Sequence, residues 1–217
     1  MAEQKPLTAY KTISSNAEIE LIERKSRFIG RCFKVTDEAE VLGILDRIRK
    51  ENWDATHNCY AYRLRSGAAR YSDDGEPSGT AGMPMMEGIR NMGVEDVLVI
   101  VTRYFGGILL GAGGLVRAYS KSTCDAVRAA GVVNMLPCYA YSIQMSYPHW
   151  NTVQKLCERY GRIESTEFTD TVQCLVWIER TKAGVFTTAL SERTDGRVAA
   201  IPVREDCFPF PDAEETV

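Results

Sequence analysis

The sequence predicts an α+β protein of two domains, and two stretches of the chain lead to this prediction. In the first stretch, the unbroken apolar run at residues 97–101 precedes a glycine-rich loop and a helix predicted over residues 114–130. A run without polar alternation is typical of a strand that is buried on both faces. In the second stretch, strand and helix patterns over residues 138–203 follow the order β-α-β-β-α-β, which is the ferredoxin-like plan. We therefore expect a first domain in residues 1–134 and a ferredoxin-like domain in residues 135–204.

The other elements of the two domains follow from hydrophobic periodicity and from cap residues. In the first domain they are strands over residues 18–23, 26–35 and 57–64, and helices over residues 36–48 and 84–92. Thr36 or Asp37 is expected to cap the first of these helices. In the second domain they are strands over residues 138–147, 163–168, 172–178 and 197–203, and helices over residues 150–160 and 183–193. A linker is predicted at residues 134–137, and residues 205–217 form an acidic, proline-containing tail that is predicted to be disordered.

Composition narrows the class of protein. The chain has 217 residues with a formal net charge of −3, which argues against a strongly basic coat for nucleic acid. Residues 1–134 carry a net charge of +1 and residues 135–217 one of −4, so the first domain is the better candidate for an anionic partner. The seven cysteines include no C-x-x-C pair, which excludes a zinc spacing or an even disulfide framework. No apolar run approaches a membrane span and no secretory signal is evident, so the expected compartment is the cytosol.

The glycine-rich loop has the general features of an anion site. A buried strand, a flexible loop and a helix N-terminus together present free N–H groups and the positive end of a helix dipole to one place. The spacing nevertheless fails both the P-loop pattern and the dinucleotide-binding pattern. Two interpretations therefore stay open, namely an anion site and a loop whose glycines serve close packing. The glycines concerned are Gly106, Gly107, Gly111, Gly113 and Gly114.

Basic and aromatic residues surround this loop in the sequence. Arg117 and Lys121 lie on one face of the predicted helix, and Arg128 continues that face two turns further along. Arg103 and Tyr104 end the buried strand beside the loop. Basic side chains, free N–H groups and aromatic rings can hold a phosphate backbone and stack bases. The alternative is that the basic residues of the helix form an ordinary solvated face.

An acidic turn that precedes the glycine-rich loop in the sequence raises the question of a metal site. Asp73, Asp74 and Glu76 lie within four residues and could hold Mg²⁺, but the EF-hand spacing is absent and we favour a solvated turn. His57 and Cys59 share one face of a predicted strand, where the pair suggests a nucleophile and its base. A separation of two residues on one strand is not the usual arrangement for that chemistry, so we favour a packed strand.

Three motifs in order carry a resemblance to a known family. They are HNCYAY at residues 57–62, SDDGEPSGTAGMP at residues 72–84 and TRYFGGILLGAGGLVRAYS at residues 102–120. With them, the chain resembles the IMPACT/YigZ family over nearly its whole length. The resemblance implies a first domain folded like domain IV of elongation factor G, with a left-handed β-α-β crossover, followed by a ferredoxin-like domain. It also implies a setting in translation or RNA, because eukaryotic relatives modulate a starvation-responsive translation kinase.

These observations lead to three functional hypotheses. The first is a cytosolic protein that binds RNA or the ribosome, modulates translation and has no catalytic residues or cofactor. The second is a Mg²⁺-dependent enzyme that acts on a phosphorylated small molecule or nucleotide. The third is a protein–protein adaptor in stress regulation that docks a partner from the translation machinery.

Overall fold

The computed structural model describes residues 7–211, and the chain divides into two compact units. One unit comprises residues 10–134, and the other comprises residues 135–210 together with residues 7–9. None of the helices in the described range 7–211 has the length and apolar composition needed to cross a membrane.

The first unit is a five-stranded sheet with helices on both faces. The strands of this sheet are β2 (Ala17–Glu23), β3 (Ser26–Lys34), β4 (His57–Arg63), β5 (Ala69–Ser72) and β6 (Val97–Tyr104), and the short strand β1 (Tyr10–Ile13) lies outside it. Its helices are α1 (Glu38–Glu51), α2 (Gly82–Asn91) and α3 (Ala112–Ala129). The sheet has the order β2-β3-β6-β4-β5, with every neighbouring pair antiparallel. Because β3 and β4 both run antiparallel to β6, they are parallel to each other, and α1 connects them in a β-α-β unit.

Strand β6 is the centre of this unit. All five residues from Val97 to Val101 are fully buried, which confirms the strand buried on both faces. Val97, Val99 and Val101 pack in the core with α2 and α3, whereas Leu98 and Ile100 pack in a second core with α1. The two cores follow from the alternation of side chains along a strand.

The ends of the helices agree in part with the predictions. Asp37, rather than Thr36, caps α1 by accepting a hydrogen bond from the backbone N–H of Glu40 at 2.9 Å. Gly131 follows α3 with a φ of 69°, the left-handed conformation expected after a helix. Helix α3 begins at Ala112 instead of residue 114, so Gly113 lies in its first turn. Strand β5 was missed because it is a short, largely exposed edge strand without alternation.

The second unit is the predicted ferredoxin-like domain. Its elements are β7 (Val132–Met145), α4 (Tyr147–Tyr160), β8 (Gly161–Phe168), β9 (Val172–Glu179), α5 (Ala183–Arg193) and β10 (Ala200–Pro211). The strand order β8-β9-β7-β10 is that of a ferredoxin-like sheet. With the antiparallel sheet and helices of the first unit, this arrangement confirms the α+β class.

Two predictions at the borders of this unit were wrong. Residues 134–137 lie inside β7 and not in an irregular linker. Residues 205–211 continue β10, where the acidic composition had predicted a disordered tail. Phe208 and Phe210 explain the difference, because they pack against a small core that contains Trp177. Residues 212–217 of the predicted tail lie outside the described residues.

Candidate nucleic-acid interface

Three of the glycines shape the loop between β6 and α3. Gly107 and Gly111 have φ values of 80° and 74°, in the left-handed region that favours glycine. Gly106 has a different reason to be glycine, since a Cβ at this position would lie 2.0 Å from the carbonyl oxygen of Lys25. The loop therefore packs directly on the turn between β2 and β3. Gly113 and Gly114 lie within the first turn of α3 and have no positive φ.

The N-terminus of α3 has free backbone donors. Gly111 occupies the N-cap position and provides no side chain, and the first intrahelical bond runs from Leu115 N to Gly111 O at 3.0 Å. The amides of Ala112, Gly113 and Gly114 therefore have no intrahelical acceptor. Ala112 and Gly113 are exposed. This geometry suits an anion at the positive end of the α3 dipole.

Arg117 is the basic residue of α3 that lies closest to this N-terminus. Its Nη1 lies 3.6 Å from the position of a Cβ built on Gly113, and its side chain is exposed. Lys121 lies one turn further along and pairs with Asp125 at 2.7 Å. Arg128 pairs with the same carboxylate at 3.1 Å, which partly neutralises that end of the basic face.

Two further basic residues near the loop escaped the sequence analysis. Arg24 and Lys25 form the exposed turn between β2 and β3, with φ values of 45° and 65°. Arg24 Nη1 donates to the carbonyl oxygen of Leu109 at 3.5 Å. The sequence alone does not show that these two residues lie near the loop, because their proximity depends on the close contact between Lys25 and Gly106.

Arg103 and Tyr104 differ from the prediction. Arg103 is buried and donates from Nη1 to Glu76 Oε1 at 2.7 Å, so this ion pair takes the place of the predicted phosphate contact. Tyr104 is half-buried and donates to Asn52 Oδ1 at 3.2 Å, beyond the end of α1. Because neighbouring residues of a strand point to opposite faces, the two side chains cannot serve one site.

The acidic turn is not arranged as a metal site. Asp73 accepts hydrogen bonds from the amides of Gly79 and Ala81, which precede α2, and of Gly82, its first residue. Asp74 accepts from the amide of Asn58 at 2.7 Å, whereas Glu76 pairs with Arg103. Among residues 7–211, no cluster of three or more Asp, Glu, His or Cys side chains has the geometry for a metal ion. The Mg²⁺ interpretation of the three carboxylates is therefore not supported by their positions.

The contacts of Asp73 lead to a prediction about pH. Burial raises the pKa of this carboxyl, but the amides of Gly79, Gly82 and Ala81 outweigh burial and hold the pKa below its ordinary value of 3.8. A depressed pKa in the folded state stabilises the protein above the unfolded value, and that contribution is lost as the pH falls through the folded pKa. We expect Asp73→Asn to lower the free energy of unfolding by about 1–2 kcal/mol at neutral pH. In urea unfolding, the difference should shrink as the pH falls below 3.8; a constant difference would contradict the assignment.

His57, Glu76 and Arg103 line a pocket of about 350 Å³ beside the loop. Its walls are mostly apolar and come from the acidic turn, the loop and the first turns of α3. The other lining residues are Thr56, Pro77, Phe105, Leu109, Leu110, Gly111, Ala112 and Leu115.

The floor of the pocket is a buried polar network around Glu76. Its Oε1 accepts hydrogen bonds from Arg103 Nη1 and from the hydroxyl of Tyr119, both at 2.7 Å. Burial raises the pKa of Tyr119, which keeps this hydroxyl a donor. Burial also raises the pKa of Cys59 to about 12, and its thiol donates to the carbonyl oxygen of Asp73. Cys59 is thus a packed thiol and not an activated nucleophile.

Comparisons with known proteins match both units of the chain. The family model described as the Impact N-terminal domain matches residues 24–127, and that of a domain of unknown function (DUF1949) matches residues 143–197. IMPACT family member YvyE of Bacillus subtilis is 35% identical over 194 residues, which cover 88% of this chain and 89% of that protein. IMPACT family member YigZ of Escherichia coli is 31% identical over 84% of this chain and 92% of its own.

More distant relatives and a solved structure agree with this assignment. The protein IMPACT homolog of Dictyostelium discoideum is 40% identical over 95 residues, which are 41% of this chain and 27% of that protein. A crystal structure of a hypothetical protein superposes with a TM-score of 0.58 at 27% identity and covers 92% of this chain and 99% of its own. Since the bacterial relatives match over most of their length in both chains, this chain belongs to the IMPACT family.

Proposed function

We propose that this member of the IMPACT family binds RNA, either free or on the ribosome, and modulates translation in the cytosol. The contact surface is the exposed N-terminus of α3 with its basic rim, which consists of Arg24, Lys25 and Arg117. The observation that carries the proposal is that these three basic residues lie beside the loop that leads into an uncapped helix N-terminus. Phosphate oxygens can accept hydrogen bonds from the free amides while the cations neutralise their charge.

Exposed apolar side chains beside the basic rim add a surface for bases. Phe105 is 46% exposed and Leu109 is 80% exposed, and both follow directly from β6 into the loop. An aromatic ring next to a phosphate site suits single-stranded RNA, whose bases are free to stack. A Mg²⁺-dependent enzyme is less well supported, because Asp73, Asp74 and Glu76 each have partners within the protein.

The salt dependence of binding tests the proposal. Each phosphate contact contributes about −0.7 to the log–log slope of affinity against salt for a single strand. We therefore expect Lys25→Ala combined with Arg117→Ala to weaken binding to a mixed-sequence RNA and to flatten the slope by about 1.4. Filter binding with the oligonucleotide measures the affinity for free RNA. Co-sedimentation with purified ribosomes measures the affinity for RNA on the ribosome.

Variants elsewhere on the same unit serve as controls. Arg47→Ala combined with Lys50→Ala removes two exposed cations from α1, which packs on the opposite face of the sheet. This control should retain the wild-type slope. Lys121→Ala should have a smaller effect than Arg117→Ala, since Lys121 already pairs with Asp125. Unchanged affinity and slope in the Lys25 and Arg117 double variant would show that the basic rim is an ordinary solvated surface that does not bind RNA.

A further inference from the structure

Two acceptor atoms face each other at the inner end of the pocket. Glu76 Oε2 and His57 Nε2 are 3.8 Å apart, which is too far for a direct hydrogen bond. The side chain of Glu76 is only 2% exposed and that of His57 is 17% exposed. From the described residues, Glu76 Oε2 receives no hydrogen bond, because Arg103 and Tyr119 both donate to Oε1.

The hydrogen bonds of His57 determine which nitrogen carries its proton. Nδ1 lies 2.8 Å from the carbonyl oxygen of Asp74, and a carbonyl oxygen can only accept. In the neutral form of the ring, Nδ1 therefore carries the N–H, which leaves the lone pair of Nε2 facing Glu76. Two acceptors held face to face without a donor between them are unfavourable, so a ligand group that carries N–H or O–H hydrogens would be stabilised between them.

The other lining residues of the pocket indicate the shape and polarity of that ligand. Pro77, Leu110 and Leu115 form apolar walls, and the half-exposed ring of Phe105 stands at the edge. The volume of about 350 Å³ lies at the small end of known ligand sites, roughly 300–1,000 Å³. Gly111 and Ala112 also line the pocket, so the free amides of α3 begin where the apolar walls end. These features fit a flat, mostly apolar ring with a polar donor at one end and a phosphate nearby.

We propose that this pocket receives one unstacked nucleobase that carries an exocyclic amino group. The amino group donates one hydrogen to Glu76 Oε2 and the other to His57 Nε2, within about 2.9 Å of each. The base packs between the apolar walls and Phe105, and its phosphate reaches the N-terminus of α3. This inference rests on the proposed RNA binding and deepens it, because it assigns a base preference to a surface that otherwise holds phosphates and stacks bases without distinguishing them.

Uracil is the base that such a site excludes. Where cytosine has an amino group, uracil has a carbonyl oxygen, which would add a third acceptor to Glu76 Oε2 and His57 Nε2. A site built to accept N–H groups discriminates strongly against an analogue that lacks them, since its own polar atoms are then left unpaired. We therefore expect oligocytidylate to bind about tenfold more tightly than oligouridylate of the same length, and adenine-containing strands to bind at least as well as oligocytidylate.

Fluorescence anisotropy with the full chain, labelled oligocytidylate and labelled oligouridylate tests this preference. His57→Phe keeps an aromatic ring but removes one of the two acceptors, so it should reduce the difference between the two strands to about threefold while the salt slope stays unchanged. Arg117→Ala is the matched control, which should weaken both strands equally and retain the preference for cytosine. Circular dichroism must show that each variant is folded before its binding is compared.

The outcomes separate this inference from the proposed function. If neither strand binds at any salt concentration, the proposed RNA binding fails. If both strands bind with equal affinity, RNA binding stands and the base pocket is overturned. If cytidine monophosphate competes as strongly as oligocytidylate, the pocket is supported but its ligand is a free nucleotide. If His57→Phe retains the full preference for cytosine, the assigned acceptor is wrong.

Discussion

Glu76→Ala is expected to lower the free energy of unfolding by about 3–5 kcal/mol. The substitution leaves the guanidinium of Arg103 buried without its charge partner, with only 6% of that side chain exposed. It also removes the acceptor of the Tyr119 hydroxyl, which lies fully inside the core. Removing one member of a buried pair costs much more than the pair itself contributes, because the remaining charge has lost both water and partner. Urea unfolding followed by circular dichroism measures the effect.

A more exposed ion pair in the same unit provides the control. Arg63 and Glu95 are also 2.7 Å apart, but their side chains are 32% and 27% exposed. Glu95→Ala should therefore cost only about 0–1 kcal/mol. Replacing both members of the buried pair, as Arg103→Met with Glu76→Leu, should recover much of the loss, since no unpaired charge remains. If Glu76→Ala costs no more than Glu95→Ala, the buried pair does not have the role assigned to it.

Gly106→Ala is expected to destabilise the first unit by about 3 kcal/mol. A Cβ at this position would lie 2.0 Å from the carbonyl oxygen and 2.1 Å from the carbonyl carbon of Lys25. Both are backbone atoms, so no side chain can rotate away and the loop or the β2–β3 turn must move. Thermal and urea unfolding measure the loss of stability, and RNA binding should weaken as well because the basic rim is displaced.

Gly113→Ala is the matched control for that substitution. Gly113 is helical, and the nearest atom to its added Cβ is the flexible Arg117 Nη1 at 3.6 Å. Alanine in a helix is favoured over glycine by about 0.5–1 kcal/mol, so this variant should be as stable as the wild type or more so. Equal stability of the two variants would contradict the close packing at Gly106.

The ferredoxin-like unit and the central strand could be predicted because their signals are local. The apolar run of β6 and the alternation in β9 predict which side chains are buried from the residues of each strand alone. The glycines of the loop were recognised as well, but not the reason for Gly106, which depends on a turn 80 residues earlier. Strand β5 and the end of β10 were missed, since neither has an apolar pattern of its own to report its pairing.

The sequence by itself determined the α+β class, the ferredoxin-like order, the glycine loop before a helix N-terminus and the family. These features depend on periodicity and on conformational preference, which act between residues close together in the chain. Only the tertiary structure decided the partners of the charged residues. It buried Arg103 against Glu76, brought Arg24 and Lys25 beside the loop, and set His57 opposite a carboxylate. The physical reason is that a charge interacts with whatever lies within a few ångströms, and that neighbourhood exists only after strands from distant parts of the chain have paired.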